Sequence, residues 1–280
     1  MNIFRTIKYL LIDTDSPYSV FTAPTKALKL FALMIAHELR VRVRLFHTRA
    51  TSIMTCNVCG WHGRYMRTFF SREQTISNCI CPQCGSFGRH RLLYEVIQRS
   101  NSYGKSDVSR RALTLSASSA LIFALDQVFD GNIEYSEYDD RSGQGDDIRS
   151  LSHESNKYDL VVCVHVLEHV REIQACMSEI HRVLKPGGTA YIQVPFEPID
   201  QSKVLADSGS HGHYWEFGRD YYNYLKHGNF KMNIINSELI FGRHGIEKHN
   251  IDIDEEVVLL IKGTKEAFAQ DCNREIKAAY

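Results

Sequence analysis

Three groups of side chains in this sequence are spaced for chemistry. The first is Cys56-x-x-Cys59 and Cys81-x-x-Cys84, each pair followed at once by a glycine, Gly60 or Gly85. Two thiolates so close in sequence reach one metal ion only through a tight turn, and glycine permits the backbone that turn needs. Two such pairs at this separation have the pattern of a zinc ribbon. Four thiolates close the coordination shell, so the expected Zn2+ is structural. The alternative is two unrelated pairs of reduced cysteines; a disulfide framework does not suit a cytosolic chain of this size. Cys79 is a further thiol beside the second pair.

The second group is His165, Glu168 and His169, which follow the unbroken apolar run Leu160–Val164. Such a run suits a strand buried on both faces. In open α/β sheets ligands sit just past the carboxyl ends of the strands, where these polar residues would lie. The third group is His211-Gly212-His213-Tyr214-Trp215. His213 suits a general base, because imidazole titrates near operating pH, and the aromatic pair would wall a pocket. His211 and His213 also have the separation of a metal pair, but no carboxylate or third ligand is spaced in the sequence to complete it.

The elements that must position these groups are partly legible. Ile173, Met177, Ile180 and Leu184 recur at helical spacing; Pro186-Gly187-Gly188 stops that helix, and Thr189–Val194 opens the next strand. This is one βαβ unit. Arg111–Leu115 reads as an earlier strand, followed by the small residues Ser116, Ala117, Ser118 and Ser119 and a helix over 120–129 that Ser118 or Ser119 caps. Asn132–Tyr138 reads as the second strand, with Glu137, Asp139 and Asp140 at its end. Further on, a helix is expected over 220–227, a strand over 230–235, a loop over 241–250 holding His244 and His249, and a last strand over 257–261. Arg89-His90-Arg91 opens a helix to about Gln98. It either ties the ribbon to the main domain or forms a lip that meets an acidic group. Near the N-terminus a helical stretch starts at Thr25, packed on the main domain or lying as a basic amphipathic segment on a membrane; alternation of Arg40, Arg42 and Arg44 weakens the latter.

The run YDLVVCVHVLEHV, then the helix end R-V-L-K-P-G-G and a strand ending V-P, resembles the centre of class I S-adenosylmethionine-dependent methyltransferases. The C-P-x-C-G-S-x-x-R-H-R run before it is similar to a subgroup with an N-terminal zinc ribbon. The resemblance implies an α/β fold with a Rossmann-like sheet of seven strands, one antiparallel near the end, and S-adenosylmethionine as methyl donor. It implies that Ser116, Ala117 and Ser118 stand where the family has its glycine loop, and that Glu137 holds the ribose. Asp147 and Ile148 would meet the adenine, with Asp146 competing. Val164, His165 and Val166 would line the adenosyl pocket. His169 and His213 would face the reacting centre, with Glu168 either there or bonded to a neighbouring loop. The family's Gly-x-Gly and first-strand acid are absent, so a catalytically inactive scaffold stands as an alternative.

Bulk properties narrow the acceptor. The chain has 280 residues, with 33 Lys plus Arg against 33 Asp plus Glu. No global charge favours a nucleic acid, so a small molecule or glycan with a hydroxyl or amine is the first expectation and RNA the second. No apolar run reaches the ~20 residues of a membrane span, and Asp13 interrupts Leu10-Leu11-Ile12, so a cytoplasmic location is expected. The expected division is a helical segment at 1–51, the ribbon at 52–92, the methyltransferase domain at 108–265 and a tail at 266–280.

Overall fold

The computed structural model describes residues 53–70, 75–101, 110–115, 118–129, 132–136, 138–139, 144–206 and 212–263, with Ala32, Ala36 and Leu39. Those three are helical; the rest of the expected N-terminal helix, the C-terminal tail, Ser116, Ala117 and Glu137 lie outside the described residues.

From Ile53 on, the described residues open with two small hairpins. β1 (Met54–Thr55) pairs with β2 (His62–Gly63), and β3 (Arg67–Phe70) with β4 (Thr75–Ile80). Helix α1 (Gly88–Asn101) follows, then β5 (Ala112–Thr114), α2 (Ser119–Phe129) and β6 (Ile133–Tyr135). After a short hairpin of β7 (Tyr138–Asp139) and β8 (Gln144–Gly145) come β9 (Tyr158–Val164), α3 (Ile173–Val183) and β10 (Leu184–Gln193). A second short hairpin, β11 (Lys203–Val204) with β12 (Trp215–Glu216), precedes β13 (Phe230–Asn236), α4 (Ser237–His249) and β14 (Glu256–Lys262).

Six of these strands form one sheet in the order β13-β14-β10-β9-β5-β6. β10, β9, β5 and β6 are parallel, and β14 runs antiparallel to both neighbours. The single antiparallel strand agrees with expectation; the described residues supply six strands rather than seven.

β9 is central, and its side chains alternate between two cores as the pleat requires. Val161 and Cys163 join Ile173, Cys176, Met177 and Ile180 of α3. Leu160, Val162 and Val164 join Leu92, Leu93, Val96 and Ile97 of α1 and Leu121 and Leu125 of α2. Both faces are therefore dry, which is why β9 reads as a continuous apolar run.

Three expectations are corrected. Helix α3 ends at Val183, and Leu184 is already extended (φ −70°, ψ 138°). Pro186-Gly187-Gly188 thus lies within β10, in an irregularity between Leu184 and Thr189. Gly188 is needed there, since a Cβ would stand 2.9 Å from the Lys185 carbonyl oxygen. The helix expected over 220–227 is a single 3-10 turn, Tyr221–Asn223. The stretch read as a loop over 241–250 is most of α4, capped by Asn236 Oδ1 accepting from Leu239 N and closed by Asn250 in the left-handed region. Gly242 kinks it (φ 62°, ψ 171°), which broke the helical period in the sequence.

Candidate functional site

The two cysteine knuckles are built alike. Gly60 N donates to Cys56 O and Gly85 N to Cys81 O, with φ of 75° and 78° at the two glycines. Cys56 N donates to Trp61 O, as Cys81 N does to Ser86 O. The four sulfurs converge within 4.8 Å. Cys56 Sγ lies 3.7 Å from Cys84 Sγ, and Cys59 Sγ 3.6 Å from Cys81 Sγ. Sulfurs at ~2.3 Å from a tetrahedral zinc stand about 3.8 Å apart, so the arrangement fits that ion. Hydrogen bonds from Cys81 and Cys84 pull the Cys56 thiol far down, while burial pushes Cys59 up to about 11. Cys79 instead donates to Ile76 O and stays outside the cluster.

The knuckles are fastened to the sheet domain by Arg91, which is fully buried. Its guanidinium donates to Ser86 O, Cys79 O, His249 O and Asn250 O. His249 Nδ1 donates to Thr55 O, 2.9 Å away, a second tie. Of the two readings of the Arg89-His90-Arg91 run, the structural tie holds for Arg91. Arg89 and His90 turn inward instead: Arg89 lies over the Phe87 ring at 4.3 Å, and His90 is buried.

The sheet's carboxyl edge carries the other site. His165 leaves β9 with φ 53°, a left-handed backbone unusual for a non-glycine residue. Its N–H donates to Gln193 O at the end of β10, which pins the turn. Ser118 opens α2 past the end of β5, its Oγ accepting from Leu121 N and its carbonyl from Leu121 and Ile122 N. Val164 is buried and Val166 packs on the α3-side core. Ile148 is buried in that core beside Leu115. Asp147 is held by Arg149, which also reaches Glu172 at 3.2 Å. That guanidinium depresses the Asp147 carboxyl. Asp146, the competing acid, is consumed by Ser152 N, Ser136 and His153.

The segment after β10 folds back over this edge. Tyr214 N donates to Glu168 O at 2.7 Å, and His169 Nδ1 lies 3.3 Å from Gly212 O. A carbonyl only accepts, so Nδ1 carries the proton and Nε2 keeps the lone pair. The His169 and His213 rings meet edge to face at 4.9 Å. A Glu168 oxygen and one nitrogen from each histidine lie within 4.8 Å of one another. Around His213 stand Glu168 and His169, more than forty residues upstream; His211, the other half of the expected metal pair, lies outside the described residues. Sequence reading also missed a cavity of about 260 Å³ lined by Phe196, Arg219, Tyr222, Asn236, Ile253, Asp254 and Glu256. It sits on the same edge: β14 starts beside the end of β10, and Gln193 Nε2 donates to Glu256 O. Tyr221 and Tyr222 hydroxyls both donate to the Glu256 carboxylate. The only sequence signal was the Asp220-Tyr221-Tyr222 run.

Residues 111–192 match the family model described as a methyltransferase domain. Over these residues, under half of the chain, the sequence is similar to that family. The matched residues run from β5 into β10 and include His165, Glu168 and His169, whereas His213 and Glu256 lie beyond them. No curated protein matches the chain. Among solved structures the chain is similar to phosphoethanolamine N-methyltransferase 2 of Haemonchus contortus in complex with phosphomonomethylethanolamine and S-adenosylhomocysteine. Identity is 15%, coverage 62% of this chain and 53% of that one, and the TM-score 0.36. A second structure of that nematode enzyme, with S-adenosyl-L-methionine, aligns over the same shares at 15% identity and TM-score 0.35. The chain thus spans about half the length of these enzymes. The YcgJ protein of Bacillus subtilis aligns at 10% identity over 62% of this chain and 99% of its own, with TM-score 0.35.

Proposed function

We propose that the protein transfers a methyl group from S-adenosylmethionine to a hydroxyl or amine of a small molecule or saccharide. The observation that carries this reading is the methyltransferase domain whose β9 ends in the strained His165 turn, with His169 and His213 meeting beside it. The residues present fit the donor. Small side chains follow β5, and α2 presents its N-terminus there behind the Ser118 cap. Asp147 is the acid the resemblance assigns to adenine, which it would meet with a carboxylate already bonded to Arg149, and Val164, His165 and Val166 supply the wall. When bound, the donor supplies a sulfonium methyl that a lone pair can take in line, leaving S-adenosylhomocysteine. The chain's part is to align the acceptor and to ease loss of its proton, worth several orders of magnitude in rate. His169 and His213 are the groups placed for that. The cavity at Arg219, Tyr222 and Glu256 holds the body of the acceptor. The cysteine cluster holds a structural Zn2+ that fixes the start of α1 against the sheet.

Titration calorimetry of zinc-loaded protein with S-adenosylmethionine tests this reading. Saturable binding at one site per chain is expected. A folded, zinc-loaded protein that releases or absorbs no heat would leave only a scaffold.

A further inference from the structure

Glu168 is fully buried, and neither of its carboxylate oxygens has a hydrogen-bond partner. A buried carboxylate left so costs several kcal/mol unless a positive charge compensates it. His165 Nδ1 lies 3.3 Å from Oε1 without completing a hydrogen bond. The Arg89 guanidinium acts on the acid electrostatically without hydrogen-bonding it, and ligand-type nitrogens of His169 and His213 gather beside it.

We propose that Glu168, His169 and His213 bind a divalent first-row transition ion, and that this ion activates the acceptor hydroxyl. The inference rests on the methyl-transfer reading and names the means of activation. One carboxylate and two imidazoles suit Zn2+, Fe2+, Co2+ or Mn2+ better than Mg2+, which favours oxygen ligands. Three protein ligands leave positions open, unlike the closed set of four thiolates. His169 is prepared for the role: the Gly212 carbonyl takes its Nδ1–H, which leaves Nε2 as the ring's ligand atom. Tyr214 N bonded to Glu168 O staples the loop carrying His213 onto the turn carrying the other two ligands. His213 is partly exposed, so a shift of its ring, with His169 kept by the Gly212 bond, would bring ligand atoms now within 4.8 Å of one another to the ~3 Å expected around one ion. An acceptor oxygen taking an open position would lose its proton at lower pH, as metal-bound water does, and the proton would pass to bulk water because the ion occupies the His169 and His213 lone pairs. Hydroxyl acceptors are therefore favoured over amines, which bind such an ion through the lone pair they need for attack.

The test uses the full chain with zinc already in the ribbon and Co2+ alone as probe. One further Co2+ per chain is expected, with visible d–d absorption and none of the intense sulfur-to-cobalt bands of a thiolate site. Glu168→Gln and His213→Asn should each weaken this uptake by ~10-fold or more while ribbon zinc is retained. His213 lies on the covering loop, so that variant serves if Glu168→Gln does not fold. No Co2+ uptake by the wild type, or uptake equal in the His213 variant, would overturn the proposal. The readout needs no methyl donor. Donor binding without cobalt uptake removes the metal centre and keeps the methyl-transfer reading; cobalt uptake without donor binding does the reverse.

Discussion

The Arg91 guanidinium donates to the backbone carbonyl of Asn250 at 2.7 Å, joining residues 159 apart in the chain. The same side chain holds carbonyls in the second knuckle and at the end of α4, and burial lowers its pKa without leaving a donor idle there. The cysteine knuckles and the sheet therefore share one buried cation. Replacing Arg91 by Met orphans several buried carbonyls, so a loss on the order of 3–5 kcal/mol and a clear drop in melting temperature are expected. Arg91→Lys should recover little, because one ammonium cannot span the fork's partners. An unchanged melting temperature in Arg91→Met would refute this tie.

Cys81→Ser and Cys79→Ser separate the metal ligands from their neighbour. The first removes one of four converging sulfurs; the second removes only a bond to Ile76 O. Zinc content should fall well below one per chain in Cys81→Ser and hold in Cys79→Ser. Elemental analysis of the purified variants decides between them.

A pH dependence follows from Glu255. Burial pushes its carboxyl from 4.5 up to about 7, with Arg89 pulling the other way. The folded state thus holds this proton more tightly than the unfolded chain. Stability falls as pH rises from about 4.5 to about 7, and the penalty is complete above that. Glu255→Gln should raise stability at about pH 8 by on the order of 2 kcal/mol and change little at about pH 4. Denaturant midpoints at the two pH values measure the difference; equal shifts at both would contradict it.

His165 pairs strain with position. A non-glycine residue at φ 53° costs about 1 kcal/mol, which His165→Gly would return. On the proposed reading the same variant removes a wall of the donor pocket. Raised or equal stability with weaker donor binding is expected; loss of stability with binding intact would count against the assignment.

How much of this was legible depended on whether the cause was local. The βαβ unit at 158–193 showed itself because β9 is dry on both faces and α3 on one. The knuckles showed because ligand and turn residues are adjacent, and Gly60 and Gly85 do adopt positive φ. Helix α4 was hidden by Gly242 and Gly245, although Asn236 and Asn250 mark its ends. A helix was expected over 220–227, yet Tyr221, Tyr222 and Tyr224 pack on Phe217, Glu256 and Trp215 from one short turn and its end. The meeting of Glu168, His169 and His213 was out of reach, because backbone bonds between two distant loops create it.

The central claim is that a methyl donor binds across the ends of β5 and β9. Hydrogen exchange of the zinc-loaded protein with and without S-adenosylhomocysteine measures this directly. Slowed exchange confined to segments around 112–122 and 160–170 is the predicted result. Unchanged exchange in both segments at saturating ligand would contradict it.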